Sequence, residues 1–533
     1  MRGVLIGAAL ALFGLAGGCA QSAHESPASL LVRSNASGPD SLDPQKARTV
    51  QAQEILRDLC EGLTSLAKDG SVAAGSAQRW SVEEAGRLYR FELRPEARWS
   101  NGDPLVAADF VAGLRRLVDP ATASPYAEVV DIIVNARAII AGQAPVASLG
   151  VSAPDAHTLT VRLEAPAPYL PALLAHPSTC PVHGASTAPQ GAAFSSAGSF
   201  VSNGAYDLQE WVPGSHVLIR RNHHYWNDAA THIETVKWLE VAGDNAELTR
   251  YRAGEIDVTA VVPRNQLDWI RAHIPRELHI SPQLTTYFYG FNLDREPFRS
   301  DSRLRRALSM VIDRERLASS VLRAGELPAY GWVPPGIHDY GAQSFDYRTL
   351  PLQQRILQAR RLIAQSGYTA GRPLSFELRY SSDEISAQLA VAIASMWQQS
   401  LPVQVRLVAE DFKSLLGDIE RRDVDVFRSS WAADYNDAYT FAQYLKSDFG
   451  VNLPHYRSAD YDALLSQAAA AEDLAHRRTL LEEAERVALR DHPLIPIYFY
   501  VNKHLVKPRV HGWYDNVLNV VYSKDLWLQA APP

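Results

Sequence analysis

Phe427-Arg-Ser-Ser-Trp-Ala-Ala-Asp-Tyr-Asn-Asp-Ala-Tyr-Thr-Phe441 is the stretch around which the rest of the chain is read. The alternation of Val424, Val426 and Arg428 looks like the end of a strand. The residues after it read as loop, with an Arg, a Trp and an Asp inside seven residues. Loops on a rigid scaffold carry binding sites. A carboxylate at Asp434, an indole at Trp431 and a guanidinium at Arg428 are what a pocket needs to hold a cationic amine against an apolar wall and to answer a carboxylate further along the ligand.

Met1-Arg2 and the apolar run from Val4 to Leu15 form an export signal, too short to cross a bilayer. Leu15-Ala16-Gly17-Gly18-Cys19 then offers small residues to a peptidase and a thiol for lipid attachment, which predicts a lipoprotein anchored through Cys19. A net charge of −7, with basic residues in the minority, gives no nucleic-acid surface. Besides Cys19 only Cys60 and Cys180 are present, enough for at most one disulfide, and the sequence leaves their pairing open. With 533 residues, 47% hydrophobic and 21% charged, the chain has the composition of a soluble globular protein of about three domains.

Along the chain, Ile55, Leu56, Leu59 and Leu63 have helical spacing, with Gly62 as the stop. Leu88 to Leu93 alternates as a half-buried strand, and Arg98-Trp-Ser-Asn-Gly-Asp-Pro104 is a strand end with a tight Asn-Gly turn before a helix over Asp109 to Leu117. Gly254 to Thr259 and Thr286 to Asn292 read as strands, and Asp301 to Leu317 as one long helix. From Leu352 to Phe427 helices and strands alternate, which predicts a mostly parallel sheet flanked by helices. His223, His224 and His232 are the only metal-like cluster, and neighbouring histidines point apart on regular backbone. No phosphate loop or catalytic motif is present, so no enzyme activity, cofactor or metal is expected.

The segment Phe427 to Phe441, together with Leu453-Pro-His-Tyr-Arg-Ser458 and Tyr461-Asp462, resembles the periplasmic oligopeptide-binding proteins, the family 5 extracytoplasmic solute-binding proteins of ABC importers. Trp99-Ser-Asn-Gly-Asp-Pro104 and Ala108-Asp-Phe110 carry the same resemblance in the first half, and it extends over nearly the whole chain. It implies an α/β, type II periplasmic-binding-protein fold, two lobes around a hinge with an extra inserted domain. The implied division is a signal peptide over 1–18, domain I from 19–61, 185–284 and 502–533, domain II as the insertion 62–184, and domain III over 285–501, with hinge crossings near Thr285 and Val501.

The resemblance further implies a periplasmic, lipid-anchored, monomeric receptor that hands oligopeptides to an inner-membrane ABC permease. Asp434 would pair with the ligand α-ammonium and Arg428 would answer a carboxylate. Trp431, Phe412, Tyr126, Tyr500 and Asn502 fall on ligand-facing positions, and Arg48-Thr49-Val50, Val258 to Val261 and Ser429 to Ala433 match segments that meet the peptide backbone. Leu322, Ile419 and Ser386 depart from the residues that receive ligand C-termini, Arg48 stands where an acid can occur, and Thr285 and Ala432 lack cysteines that some relatives pair. A murein-peptide receptor of the same fold stays open as an alternative, as do a secreted peptide hydrolase and an envelope chaperone or adhesin.

Overall fold

The computed structural model describes residues 29–36, 38–184, 199–337, 339–433 and 435–529. Cys19 and Asp434 lie outside them. Three sheets organise the molecule, each with its own apolar core. In the first, Leu30–Ser34 pairs in parallel with Thr235–Leu239, which continues antiparallel through His216–Arg221 to Tyr206–Val212. Leu31, Tyr206, Val217, Ile219 and Trp238 fill its core. The second is an antiparallel sheet of Ala77–Glu83, Leu88–Leu93, Thr158–Arg162 and Val151–Ser152. The helix Ala107–Val118 lays Phe110, Leu114 and Leu117 against Phe91 and Leu159 of this sheet.

The third sheet has six strands, in the order Leu327–Pro328, Leu494–Leu505, Leu278–Phe291, Val426–Ala432, Leu374–Ser381 and Val403–Glu410. Its first three pairings are antiparallel and its last two parallel, so the expectation of a mostly parallel sheet is corrected to a mixed one. Helix–strand alternation governs only the stretch from Leu352 onward, where crossover helices demand parallel pairing. The two long strands come from elsewhere in the chain.

Those strands, Leu278–Phe291 and Leu494–Leu505, join the lobes. Fourteen residues of strand reach about 45 Å, enough to run from one core into another. Leu278 and Leu505 belong to a core with Leu248, Tyr251 and Ile270, whereas Tyr287, Phe291 and Tyr498 belong to the core of the six-stranded sheet. Between them the register breaks: Pro282 faces Val501 and the next pair is Thr286 with Phe499, leaving Gln283 to Thr285 opposite Tyr500 alone. Extra residues on one strand bend the pair and loosen its ladder. The architecture is α/β, two lobes with an inserted unit.

Several local readings change. Asp301 to Leu317 is broken into Ser302–Met310, Arg314–Arg316 and a wider turn over Leu317–Leu322. The cause is Arg314, fully buried, whose guanidinium donates to the carbonyls of Ser309 and Pro496. Gly254 to Thr259 is no strand; Val258 alone bridges Arg33 and Val506, while Asp257 accepts the Val32 amide and both arms of Arg509. The first helix, Val50–Leu59, ends at Cys60, two residues before Gly62. Cys60 and Cys180 form a disulfide across 120 residues and fasten the inserted unit at its base.

Candidate functional site

The predicted loop after Val426 is strand as far as Ala432. Arg-Ser-Ser-Trp contains no Gly, Pro, Asn or Asp, and each residue from Val426 to Ala432 pairs with the long strand, from Phe291 opposite Val426 to Thr285 opposite Ala432. On the other side the pairing is short: Leu374–Ser381 meets only Val426 and Phe427. From Arg428 to Ala432 the second edge has no strand partner among the described residues. Such an edge presents unpaired amides and carbonyls at a fixed spacing and is a template for another strand. The register that sets Thr285 opposite Ala432 also explains how a cysteine at each position could pair.

Along this edge the predicted residues gather. Arg428 lies 4.9 Å over the Tyr287 ring, which stacks on Tyr498 at 4.8 Å, and Tyr500 lies 4.9 Å from Tyr498. No carboxylate pairs with Arg428 among the described residues. Burial pushes its guanidinium down, the Tyr287 and Tyr500 hydroxyls oppose this, and the net direction is upward. Burial pushes the Tyr287 phenol up to about 12, so the ring under the cation stays neutral. Trp431 donates its Nε1–H to the Thr440 carbonyl at 2.8 Å and packs 4.9 Å from Tyr444.

The flanks of Asp434 are firmly held. The Ala433 amide donates to the Leu284 carbonyl at 2.8 Å, Tyr435 stacks on Tyr169 of the inserted unit at 4.9 Å, and Asp437 receives both arms of Arg477.

The remaining predicted residues lie on other elements. The Tyr126 hydroxyl donates to the Arg48 carbonyl at 3.2 Å, which brings the inserted unit against the start of the first helix. In Arg48-Thr49-Val50, Thr49 has extended backbone and caps the helix that Val50 begins, and Asp40 accepts the amides of Arg48 and Thr49. The side chains of Arg48 and Val50 are exposed. Phe412 is 60% exposed at the first position of the helix Phe412–Glu420, capped by Asp411. Asn502 is buried and its amide donates to the carbonyls of Pro282 and Asn516, tying the crossing strands to the C-terminal segment.

Asn502 also borders a cleft of about 870 Å³ between the lobes. Three residues that no pattern in the chain singles out stand there. Glu326, with its side chain fully buried, accepts from Arg264 at 2.5 Å and Lys503 at 3.3 Å, and both cations face the cleft. Burial pushes the Glu326 carboxyl up, but Lys503 and Arg264 hold it below the ordinary value. The Lys503 ammonium is lowered by burial, against the pull of Glu326. The histidine cluster does not assemble: His223 engages Asp228 at 3.4 Å, and no group of metal-ligating side chains forms among the described residues.

The model of the bacterial extracellular solute-binding proteins, family 5, matches residues 71–452. The periplasmic oligopeptide-binding protein of Escherichia coli is 37% identical over 93% of this chain and 92% of its own. A probable deoxycholate-binding periplasmic protein of the same organism is 40% identical over 95% and 94%. Among solved structures, the unliganded open form of a periplasmic murein tripeptide binding protein is 35% identical, covers 94% of this chain and 98% of its own, and has a TM-score of 0.87. The Haemophilus influenzae oligopeptide-binding protein in complex with the peptide RPPGFSPFR is 33% identical, covers 94% and 99%, and has a TM-score of 0.75. With a family model over most of its length and relatives above a third identical from end to end, the chain belongs to the bacterial extracellular solute-binding proteins of family 5.

Proposed function

We propose that this protein is the extracytoplasmic receptor of an ABC importer and binds oligopeptides between its lobes. The observation that carries the reading is the edge from Arg428 to Ala432, without a strand partner among the described residues, with Arg428, which has no carboxylate partner among them, at one end and the sequence leading to Asp434 after the other. A peptide added along that edge is held through its backbone, which offers the same donors and acceptors whatever its sequence. Asp434 would receive the α-ammonium, and Trp431, Phe412, Tyr126 and Tyr500 would bound the side chains. The lobes, domain I (19–61, 185–284, 502–533) carrying the insertion 62–184 and domain III (285–501), would close about the register break at Gln283 to Thr285. Resemblance to an open, unliganded form supports a starting state ready to receive ligand.

Anchorage through Cys19 in the periplasm, a monomeric state and delivery to an inner-membrane permease complete the proposal; binding and handing over require no chemical step of the protein. A murein peptide is the second reading, favoured by the resemblance to the murein tripeptide protein. The test is native mass spectrometry of protein starting at Ala20, purified gently. Co-purified peptides of a few residues support the reading. A cleft that takes up only deoxycholate, the ligand named for a 40% identical relative, would refute it.

A further inference from the structure

We propose that Lys503 and Arg264, held on the buried carboxylate of Glu326, form a receiving site for the ligand's terminal carboxylate. The inference rests on the peptide reading above. A peptide fixed by its α-ammonium must place its other charge somewhere, and a desolvated carboxylate needs a cation with free donors. Beyond Arg428, three positions that the family resemblance assigns to that task are unsuited here. Leu322 is a hydrocarbon, Ile419 is buried in the core behind the sheet, and Ser386 is buried beside Tyr287.

The cleft lined by Leu322 also contains Arg264 and Lys503, which can take over the task. Two cations share one carboxylate, so one positive charge is left over. Arg264 is 32% exposed, and its hydrogen bonds to Glu326 and the Leu322 carbonyl leave guanidinium N–H groups unused. Lys503, at 14%, spends its ammonium on Glu326 and the Val501 carbonyl at distances of 3.3 and 3.4 Å, both long enough to yield to a better acceptor. The other charges around the cleft do not cancel this surplus locally. Asp268 is paired with Arg323 at 2.7 Å, and Asp244 and Glu384 lie in the first turns of their helices, where the helix dipole favours them. The two rim acids would discriminate against a second anionic group on the ligand.

The Arg428 end of the edge adjoins this cleft through chain neighbours. The Tyr287 hydroxyl under Arg428 reaches the Ser386 hydroxyl at 3.5 Å, and the neighbours of Ser386 and Tyr500, namely Ile385 and Val501, line the cleft. A peptide too long to end at Arg428 would therefore run on to Lys503.

The test uses titration calorimetry with tetra-alanine, its C-terminal amide and its N-acetyl derivative. Wild-type protein is expected to bind the amide about tenfold more weakly than the free acid, as for loss of one charge-assisted pair. In Lys503→Met, and separately in Arg264→Gln, that ratio should shrink severalfold while the ratio for N-acetylation stays as in wild type. Leu322→Lys added to Lys503→Met should restore it. Two variants at different positions guard against failure of one to fold. An amidation ratio unchanged in both variants, or a wild type sensitive to acetylation but indifferent to amidation, overturns the inference alone. A wild type that binds none of the three overturns it together with the peptide reading.

Discussion

Arg428, beside the open strand edge, and Arg264, in the cleft between the lobes, are partnered by different means. Arg428 rides on a neutral tyrosine ring and has no carboxylate partner among the described residues. Arg264 reaches across from the other lobe to a fully buried glutamate. A ring face offers a cation part of its lost hydration without neutralising it, so the charge stays available to a ligand. A buried carboxylate satisfies the cation more completely but makes it part of the fold, because breaking such a pair strands a charge. The first arrangement favours recognition; the second joins recognition to the mutual position of the lobes.

The contrast breaks most sharply on Arg428. Arg428→Met should weaken tripeptide binding by up to about a hundredfold, as for loss of a charge-assisted pair, and leave the melting temperature unchanged or raised, since a half-buried cation without a counter-ion is removed. A large fall in melting temperature with intact affinity would make this arginine structural. Arg264→Met should do the reverse, lowering stability by about 1–3 kcal/mol in urea unfolding because Glu326 keeps only Lys503 as a cationic partner among the described residues, beside the Ala324 amide.

Acidity sharpens the comparison further. Glu326 has a folded pKa below its ordinary value, so its contribution is present above the unfolded value near 4.5 and is lost as pH falls through the folded one. Glu485 is buried without a cation, accepting from the Trp332 and Val333 amides and the Tyr340 hydroxyl, and burial pushes it up to about 7. Its contribution is complete below 4.5 and is lost as pH rises through 7. Wild type should therefore gain on Glu485→Gln as pH falls from about 8 to 5, by at most about 1.4 kcal/mol per pH unit, whereas Glu326→Gln should lose its difference from wild type only at more acidic pH. A Glu485→Gln difference that stays constant from about pH 8 to 5, or a Glu326→Gln difference that already vanishes within that range, would contradict the respective assignment. The smallest effect is expected at exposed Phe412: Phe412→Ala should change stability by less than about 0.5 kcal/mol and affinity only a few-fold, read by calorimetry and melting.

How much the sequence discloses depends on how local each signal is. Leu352–Gln365 and Phe412–Glu420 are helices over the residues read from pattern alone, because their amphipathic spacing lies within one element. The anchor strand reads as loop from Phe427 because its outer half, Arg428 to Ala432, shows no buried-and-exposed alternation: its residues are mostly half-buried, as suits an edge left open. Arg314 breaks a helix that periodicity joins, since a buried guanidinium takes carbonyls by its own geometry. The Arg264, Glu326 and Lys503 site is invisible in the sequence for a simpler reason. Its contacts join residues 62 and 177 positions apart, and no spacing rule reaches so far. The proposed amine anchor, in contrast, is suggested by the sequence because Arg428, Trp431 and Asp434 fall close together in the chain.

The central claim is that Asp434 fixes the ligand α-ammonium, and the most direct measurement compares wild type with Asp434→Ala in calorimetric titrations with tri-alanine and N-acetyl-tri-alanine. Wild type should prefer the free amine by more than about a hundredfold, an energy of about 3–5 kcal/mol, and Asp434→Ala should lose the preference. Equal affinities of wild type for the two peptides, or an undiminished preference in the variant, would contradict it.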